Sequence, residues 1–367
     1  MEMSIIESET KVRVPDREDL ENKLVNLGAV QIGSVQEEDM YFTSRHRDLR
    51  ARNEILRVRT RRHRDSNRTE CLLTFKTGLS AEIKQREELE ITISDDKQAK
   101  SILEGLGFDG YVLVQKERKY FTFRGFALTI DNVTGLGAFL ELEALSETPE
   151  ESVQGRLLAV LKEIGIPRGL IEAKTYSEMM FEKQTKERLA NVANKLNSAE
   201  VKWAVFGGAA VFASVPSRML TDIDVIVKGD DVAKAERALE VRRQVVRHKY
   251  GSSFGIFLSG VDIVDKLQLE YCTSQYSFRM DERMEERIAA KELFGMKIPC
   301  IADEDIIVLK VILQRGPEEG KRDIDDIRDL LKTGKIDMIY LRERLQTFRA
   351  VERAMYLERR WGIDLQA

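Results

Sequence analysis

Several patterns that mark other classes of protein are scarce or missing in this sequence. Only three cysteines occur among 367 residues, and they form no CxxC pair, so the sequence predicts neither a disulfide framework nor a zinc site. No apolar run approaches the ~18 residues of a membrane-spanning helix, and the acidic N-terminus lacks the features of a signal peptide. We therefore expect a cytoplasmic protein that has no membrane partner.

A dominant charge of one sign is also missing. The 59 basic and 63 acidic residues give a net charge of −4, so no global field indicates binding to nucleic acids or membranes. The histidines, His46, His63 and His248, do not stand at a metal-ligand spacing. Any functional assignment therefore depends on local clusters of charge.

Two parts of the chain differ in pattern, and the chain is long enough for each part to form its own core. They define two predicted domains, residues 1–183 and 184–367. The first consists mostly of short segments that alternate apolar and polar residues, as strands do. The second begins as α/β and becomes helical from Asp303 onward, so the predicted fold class is α+β with a helical C-terminal tail. The helices predicted before that tail include residues 16–27, 95–106, 171–182 and 186–198.

Charged doublets at positions i and i+2 recur along the predicted strands of the first domain. A strand projects alternate side chains to the same side, so the members of each doublet share one face. This face is either the solvated side of an antiparallel sheet or, if the sheet curls, the wall of a channel. In a channel, Arg and Lys would bind a triphosphate while Glu and Asp hold the bridging metals. The charged positions are Glu7, Glu9 and Lys11; Arg57 and Arg59; Glu88 and Glu90; Lys116 and Arg118; Glu141 and Glu143; and the single residues Lys76 and Asp131.

The order of these motifs is similar to that of the CYTH superfamily, which includes class IV adenylyl cyclases and thiamine triphosphatases. Residues 7–11, Glu-Ser-Glu-Thr-Lys, resemble its ExExK signature, and residues 131–143 resemble the DxxxGLGxFxExE block of its cyclase-like branch. The resemblance covers roughly residues 3–182 and implies an eight-stranded antiparallel β-barrel that forms a tunnel. It assigns Mg²⁺ or Mn²⁺ binding to Glu7, Glu9, Asp131, Glu141 and Glu143. It assigns phosphate binding to Lys11, Arg57, Arg59, Lys76, Lys116 and Arg118, with Lys11 and Lys76 also expected to be catalytic.

The reaction in such a tunnel depends on the nucleophile. Attack by a ribose 3′-oxygen on the α-phosphate gives cyclic AMP and pyrophosphate, whereas attack by water on the terminal phosphorus gives hydrolysis. The GLG-containing block favours the cyclase-like assignment. The alternatives are a hydrolase of thiamine triphosphate or tripolyphosphate, and a nucleotide-sensing module that regulates the second domain.

A glycine pair followed by an acidic strand characterises the second domain. Gly207 and Gly208 end an apolar strand and enter a short helix, where backbone N–H groups can approach a phosphate. Asp222 and Asp224 follow on the next predicted strand, and Asp262 is the predicted third carboxylate. Three such carboxylates could bind two metal ions for in-line nucleotidyl transfer.

This order of motifs resembles the nucleotidyltransferase fold of DNA polymerase β-like enzymes, in its minimal or toxin-associated branch. The family's usual glycine-serine pair is two glycines here. Asp265 is the second choice for the third carboxylate, and Lys310, in the helical tail, is expected to bind the triphosphate. We expect a nucleoside triphosphate or another triphosphate as substrate, RNA or protein as the acceptor of the second domain, and allow for an oligomer.

Overall fold

The structure is a computed structural model that describes residues 6–44, 49, 54–66, 68–78, 86–146, 151–215, 220, 223–258, 260–271, 274–316 and 321–365. For residues 6–9, 78, 86, 87, 111, 144–146 and 151–154 it describes the backbone only. The chain divides into two compact units, Met1–Glu182 and Lys183–Ala367. Within the described ranges, no helix is long and apolar enough to cross a membrane.

A sheet of eight strands dominates the first unit. Its order is β1-β8-β7-β6-β2-β3-β4-β5, and every pair of neighbouring strands is antiparallel. The first and last strands of this order, β1 and β5, also contact each other. The predicted large antiparallel sheet is therefore confirmed. The strands are β1 (Ile6–Val14), β2 (Val30–Ser44), β3 (Ile55–His63), β4 (Thr69–Gly78), β5 (Arg86–Ile93), β6 (Phe108–Phe123), β7 (Phe126–Val133) and β8 (Gly137–Ser146).

The helices of the first unit begin and end at the signals that the sequence predicts. Asp16 and Asp95 cap the first two helices by accepting backbone N–H groups of the first turn. A single helix, Tyr176–Ser198, replaces the two that the sequence predicts at 171–182 and 186–198, because no glycine or proline separates them. It begins five residues later than predicted and runs from the first unit into the second. The helices are α1 (Arg17–Asn26), α2 (Asp96–Gly105), α3 (Glu151–Ile164) and α4 (Tyr176–Ser198), with a 3₁₀ turn at Arg168–Leu170.

Both faces of the first sheet are buried at its centre, each by a different kind of side chain, whereas Leu89, Glu90 and Ile91 on β5 are exposed. The apolar face packs against α1 and α3 through residues such as Leu24, Leu128 and Leu161, and against α2 through Leu103. The charged face is also buried where β2, β3 and β6 meet, and Asp39 on β2 has no exposed surface. The interpretation of this face as a solvated sheet surface is therefore wrong, because the charged side chains point towards one another.

The second unit contains a mixed sheet followed by helices, as the sequence predicts. The sheet order is β11-β12-β13-β10-β9-β16-β15, and β14 pairs with β13. The pairs β10–β13 and β9–β16 are parallel. The strands are β9 (Trp203–Phe206), β10 (Ile223–Val227), β11 (Gln244–His248), β12 (Gly251–Leu258), β13 (Val261–Tyr271), β14 (Ser274–Phe278), β15 (Ala289–Leu293) and β16 (Met296–Cys300).

One helix, α8, forms the centre of the helical part. Every residue from Glu304 to Leu313 in it is buried, which fits its almost unbroken apolar sequence. Helices α9, α10 and α11 contact it, so it supplies the common core of the tail. The helices after α4 are α5 (Gly207–Ser214), α6 (Val232–Leu239), α7 (Glu282–Glu286), α8 (Asp303–Leu313), α9 (Asp323–Lys332), α10 (Met338–Thr347) and α11 (Val351–Trp361), with a 3₁₀ turn at Gly229–Asp231.

Candidate functional site

The centre of the charged face in the first unit is an ion cluster on β2, β3 and β6. Register places Asp39 opposite Arg59 and Glu37 opposite Lys116. Arg59 donates to both carboxylate oxygens of Asp39, from Nε at 2.6 Å and from Nη2 at 2.7 Å. Lys116 Nζ lies 3.1 Å from Glu37 Oε2 and 3.4 Å from Asp39 Oδ2. All four side chains are buried, so each charge is neutralised by its neighbours rather than by water.

The cations of this cluster decide the ionisation of its carboxylates. Burial by itself would raise the pKa of Asp39, but Lys116 and Arg59 outweigh burial and hold that pKa well below its usual range. The pKa of Glu37 is lowered in the same way, against burial, by Lys116 and then Arg59. Both residues are therefore carboxylates at neutral pH.

A second cluster joins β6, β7 and β8 to the start of α4. Arg118 donates to both oxygens of Asp131, from Nε at 2.7 Å and from Nη2 at 2.5 Å, and to Glu141 Oε2 at 2.5 Å. The Tyr176 hydroxyl donates to Asp131 Oδ2 at 2.9 Å. Lys11 Nζ lies 3.5 Å from Glu141 Oε1 and 4.3 Å from the centroid of the Tyr176 ring. Asp131 thus has both oxygens occupied by protein donors.

The ionisation states in this second cluster follow from burial and from the neighbouring charges. Burial would raise the pKa of Glu141, but Arg118 and then Lys11 lower it to about 2. Burial and then Asp131 raise the pKa of Tyr176 well above its usual value, so its hydroxyl keeps the proton that it donates. The cluster therefore combines an anionic Glu141 with two cations and a neutral phenol.

A third group of charges on β3, β4 and β5 is more accessible and less tightly paired. Lys76 Nζ lies 2.7 Å from Glu88 Oε2. Arg57 Nη2 lies 3.6 Å from Glu88 and 3.8 Å from Glu90, and its Nε donates to Thr74 at 3.3 Å. Long, partly exposed ion pairs contribute little to stability. Arg57 and Lys76 are therefore the predicted phosphate ligands that can most readily exchange a carboxylate for a phosphate.

Four of the predicted metal ligands of the first unit, Glu7, Glu9, Glu141 and Glu143, lie on β1 and β8, and the fifth, Asp131, lies on β7. Glu9 and Glu143 are cross-strand partners, and Lys11 is the partner of Glu141. The side chains of Glu7 and Glu9 lie outside the described part of the structure, so their metal-binding role stays a prediction.

Sequence reasoning missed three residues of these clusters. Glu37 and Asp39 form an i, i+2 doublet like the others, but Glu38 between them hides the alternation. Tyr176 belongs to a helix far along the chain, and only the tertiary fold brings its hydroxyl to Asp131. The first two had a detectable signal in the charge alternation. Tyr176 lies in a segment, residues 175–180, that resembles a closing motif of the CYTH superfamily, but nothing in the sequence indicates its contact with Asp131.

In the second unit, the structure brings Gly207, Asp224 and Asp262 together. Asp224 on β10 and Asp262 on β13 are partners in a parallel ladder, so they occupy neighbouring positions on one face of the sheet. Gly207 opens α5 with a φ of +62°, and a Cβ there would lie 2.5 Å from Asp224 Oδ2. A glycine is required at this position because any larger residue would displace the carboxylate. Gly208 follows in the first turn of α5, and Asp222 lies outside the described residues.

Two further predicted residues of the second unit have other partners. Asp265 accepts from Arg243 Nε at 2.7 Å and from Nη2 at 2.8 Å. Lys310 is buried, with Nζ 2.6 Å from Asp326 and 3.1 Å from Asp323 on α9. The phosphate-binding role of Lys310 stays a prediction, and it would require these ion pairs to open.

The described residues contain no group of three or more His, Cys, Asp or Glu side chains that could hold a metal ion. Glu7, Glu9 and Asp222 are not part of that set, since their side chains are not described. Among the described acids, Asp224 and Asp262 are partners on adjacent strands, and their metal-binding role stays a prediction.

Comparison with known proteins gives a match for each unit. Residues 6–176 match the CYTH domain, and residues 185–359 match a nucleotidyl transferase family of unknown function (DUF2204). The chain is 34% identical over 178 residues to a candidate adenylate cyclase of Methanocaldococcus jannaschii, which covers 48% of this chain and 98% of that protein.

Two solved structures are also similar to the chain. A Pyrococcus horikoshii OT3 protein is 28% identical, with a TM-score of 0.43, and the match covers 48% of this chain and 99% of that one. A candidate adenylyl cyclase from Hippeastrum, whose structure reveals a dominant triphosphatase activity, is 23% identical with a TM-score of 0.37. That match covers 49% of this chain and 96% of the Hippeastrum chain.

Proposed function

The chain belongs to the CYTH family through residues 6–176 and to a nucleotidyl transferase family through residues 185–359. On this basis we propose that its first domain is a divalent-metal-dependent enzyme that converts ATP to cyclic AMP and pyrophosphate. The observation that carries the proposal is the buried charged face of the first sheet. A polyanion is the ligand that such a concentration of cations fits. The cations are Lys11, Arg57, Arg59, Lys76, Lys116 and Arg118.

We further propose that the first sheet closes into an eight-stranded tunnel around these charges. The complete antiparallel order of the strands and the contact between β1 and β5 support closure. Inside a tunnel, the charged face would be shielded from bulk water, which strengthens its attraction for phosphate oxygens.

The donor set of β1 and β8 fits Mg²⁺ or Mn²⁺. Glu9 and Glu143 are cross-strand partners, and like charges directly opposite each other are destabilising unless a cation lies between them. Glu7, Glu9, Glu141 and Glu143 would hold the metal, since carboxylate oxygens are its preferred ligands. A bound ion supplies Lewis-acid stabilisation of the phosphate oxygens.

The cations of the face have distinct tasks in this proposal. Arg57 and Lys76 bind phosphate oxygens by leaving Glu88 and Glu90, because their present ion pairs are long or partly exposed. Arg59 and Lys116 stay with Asp39 and Glu37 and form a fixed, internally neutral framework beside the site, since opening those pairs would leave buried charges without partners.

For the second domain we propose nucleotidyl transfer to an RNA or protein acceptor. Asp224 and Asp262 would hold a divalent metal, and the backbone of Gly207 would face the triphosphate. The support is their ladder register and the close approach of the Asp224 carboxylate to Gly207. Carboxylates at neighbouring strand positions are the arrangement that metal-assisted in-line transfer needs.

Product analysis with matched variants tests both proposals. Purified protein is incubated with ATP, thiamine triphosphate or tripolyphosphate and with Mg²⁺ or Mn²⁺. We expect cyclic AMP and pyrophosphate from the wild type and from Asp224→Asn/Asp262→Asn, and neither product from Glu141→Gln/Glu143→Gln. Glu163→Gln, an exposed change on the outer helix α3, is the control that keeps full activity.

Other outcomes identify the alternatives. Phosphate release without cyclic AMP, lost in the same Glu variant, would replace the cyclase with a triphosphate hydrolase. Tight binding of ATP without turnover would make the first domain a nucleotide sensor. Transfer of labelled nucleotide that survives Asp224→Asn/Asp262→Asn would contradict the proposal for the second domain.

A further inference from the structure

A row of aromatic rings and guanidinium groups lies on the surface of the second unit. Tyr250, in the turn between β11 and β12, stacks on Tyr271 at the end of β13, with 5.7 Å between ring centroids and 6° between planes. Arg353 of α11 places its Cζ 3.8 Å from the Tyr271 centroid. Strand ends and the last helix thus contribute to one stack.

The row continues along α11. Arg353 lies 5.7 Å from the ring of Tyr356. Arg360 lies 5.9 Å from the same ring and 5.2 Å from that of Trp361, and it donates to the Tyr356 hydroxyl at 2.9 Å. We call this set the cation–aromatic ladder: Tyr250, Tyr271, Arg353, Tyr356, Arg360 and Trp361.

The aromatic residues of the ladder on α11, Tyr356 and Trp361, lie outside the buried stripe of this helix. Ala354 and Leu357 form its buried stripe, at a spacing of three residues. Arg353, Tyr356 and Arg360 recur at spacings of three and four and therefore form a separate stripe. Tyr356 is 40% exposed and Trp361 38% exposed. Both rings consequently offer surface to a ligand.

The chain next to Tyr250 carries positive charge without acidic neighbours in the sequence. Residues 241–260 contain no Asp or Glu, whereas the whole chain has a net charge of −4. Arg242, Arg247 and Lys249 are exposed, and Lys249 Nζ lies 4.9 Å from the Tyr250 ring. Burial and then Arg315 lower the pKa of His248, as a locally positive field does.

We propose that the cation–aromatic ladder and the adjoining residues Arg247 and Lys249 bind single-stranded nucleic acid. Unpaired bases stack on exposed aromatic rings whatever their sequence, while the cations attract the phosphate backbone. A duplex hides the faces of its bases, and an acidic peptide would use the cations without needing the rings. Binding here requires no turnover in either domain, so it stands or falls independently of the proposed reactions.

Fluorescence anisotropy of the full-length protein with a labelled single-stranded RNA tests this site. Tyr356→Ala/Trp361→Ala removes the exposed rings, and we expect binding about tenfold weaker or more, with the salt dependence kept. Arg247→Ala/Lys249→Ala removes two cations and is expected to reduce the slope of log K against log salt by about 1.4. Ile339→Ala and Lys332→Ala, exposed apolar and basic changes on α10 and α9, are the matched controls and bind as the wild type does.

Three results would overturn the proposal. One is no binding of single strands at physiological ionic strength. Another is full binding by both ladder variants with unchanged circular dichroism, which would place the nucleic acid elsewhere. The third is equal affinity for a duplex of the same sequence, which would show that the surface binds nucleic acid through charge alone and not through stacking of bases on the rings. Tighter binding of RNA than of the matching DNA would support contacts to the 2′-hydroxyl, and equal binding would support a general single-strand site.

Discussion

Both units bury ionised side chains, but the carboxylates at the centre of each respond to burial in opposite ways. In the first unit, Asp39 has three cations within 4 Å, namely Arg59, Lys116 and Arg57 at 2.6, 3.4 and 3.9 Å, and its pKa is lowered. In the second unit, burial raises the pKa of Asp305 to about 6, although Arg344 Nε lies 2.6 Å away.

The number of cations explains this difference. Asp305 has one guanidinium neighbour in its cluster, and that group is shared with Asp281, which accepts from Arg344 Nη1 at 2.9 Å. One shared cation does not offset desolvation, whereas three do. A buried ion pair is therefore not by itself a sign of a binding site. What distinguishes Asp39 from Asp305 is its larger number of cation neighbours, and a surplus of cations is what suits a polyanionic ligand.

Removing one charge from the ion cluster around Asp39, or from the one around Asp305, should give the largest change in stability. Asp39→Asn removes the carboxylate that Arg59 binds through two hydrogen bonds and leaves Arg59 and Lys116 to share Glu37. A guanidinium cannot lose its proton, so we expect a loss of about 3–5 kcal/mol in the free energy of unfolding. Arg344→Met leaves Asp305, which can take up a proton instead. Its cost should be smaller, and smaller at pH 5 than at pH 7.

Urea unfolding measures the stability cost of each variant, because the unfolding of the two units can be followed with different spectroscopic signals. Both tryptophans, Trp203 and Trp361, belong to the second unit, so their fluorescence follows that unit, while far-ultraviolet circular dichroism follows both. Glu163→Gln serves as the control for a charge removed from the outer surface. Equal costs for the two variants, or a cost of Arg344→Met that does not change with pH, would contradict the explanation by cation number.

Lowering the pH should change the stability of the two units in opposite directions, and we expect this effect to be intermediate in size. Burial raises the pKa of Asp305 from 3.8, the value of an unperturbed carboxyl, to about 6, so its protonation stabilises the second unit as pH falls from 7 towards 5. The full gain below pH 3.8 is roughly 1–3 kcal/mol. The pKa of Glu141 is lowered from 4.5 to about 2, so the stability that it gives the first unit is lost as pH falls below 4.5.

Asp305→Asn isolates the first of these effects. The pKa of His248 is lowered, so this residue decreases the stability of the folded protein as pH falls over part of the same range. The quantity to follow is therefore the difference in stability between wild type and variant. We expect this difference in the tryptophan-monitored melting temperature to grow between pH 7 and pH 5. A difference that stays constant would show that Asp305 does not titrate there.

The smallest change in stability is expected at Gly207. Gly207→Ala forces a left-handed φ of +62° on alanine and pushes its Cβ to within 2.5 Å of Asp224 Oδ2. Gly334→Ala imposes a similar φ of +66° with nothing within 4 Å of its Cβ, so it is the matched control. Both should lose about 1 kcal/mol from backbone strain. Only Gly207→Ala should also abolish nucleotidyl transfer in the product assay, and equal activity of the two variants would argue against a role for Asp224.

Period-two patterns allowed much of the first fold to be predicted, and tertiary geometry accounts for what was missed. The doublets and the capping residues Asp16 and Asp95 are local signals, and they indicated the antiparallel sheet and its first helices correctly. Which side of the sheet is enclosed depends on how far the strands curl, which no single strand encodes. The approach of Tyr176 to Asp131 and the pairing of Lys310 with α9 depend on residues distant in the chain.

Arg353 also joins the surface of the second unit to its innermost helix. Besides stacking on Tyr271, its guanidinium donates to the carbonyl of Ile312 at 3.1 Å, and its own carbonyl accepts from the side chain of Gln314 at 2.7 Å. The last turn of α8 is thus closed by a residue from α11, since carbonyls at a helix end need partners from outside the helix. During synthesis on the ribosome, these hydrogen bonds can form only after Arg353 of α11 has emerged, so we expect the end of α8 to gain its final partners late in the folding of the second unit.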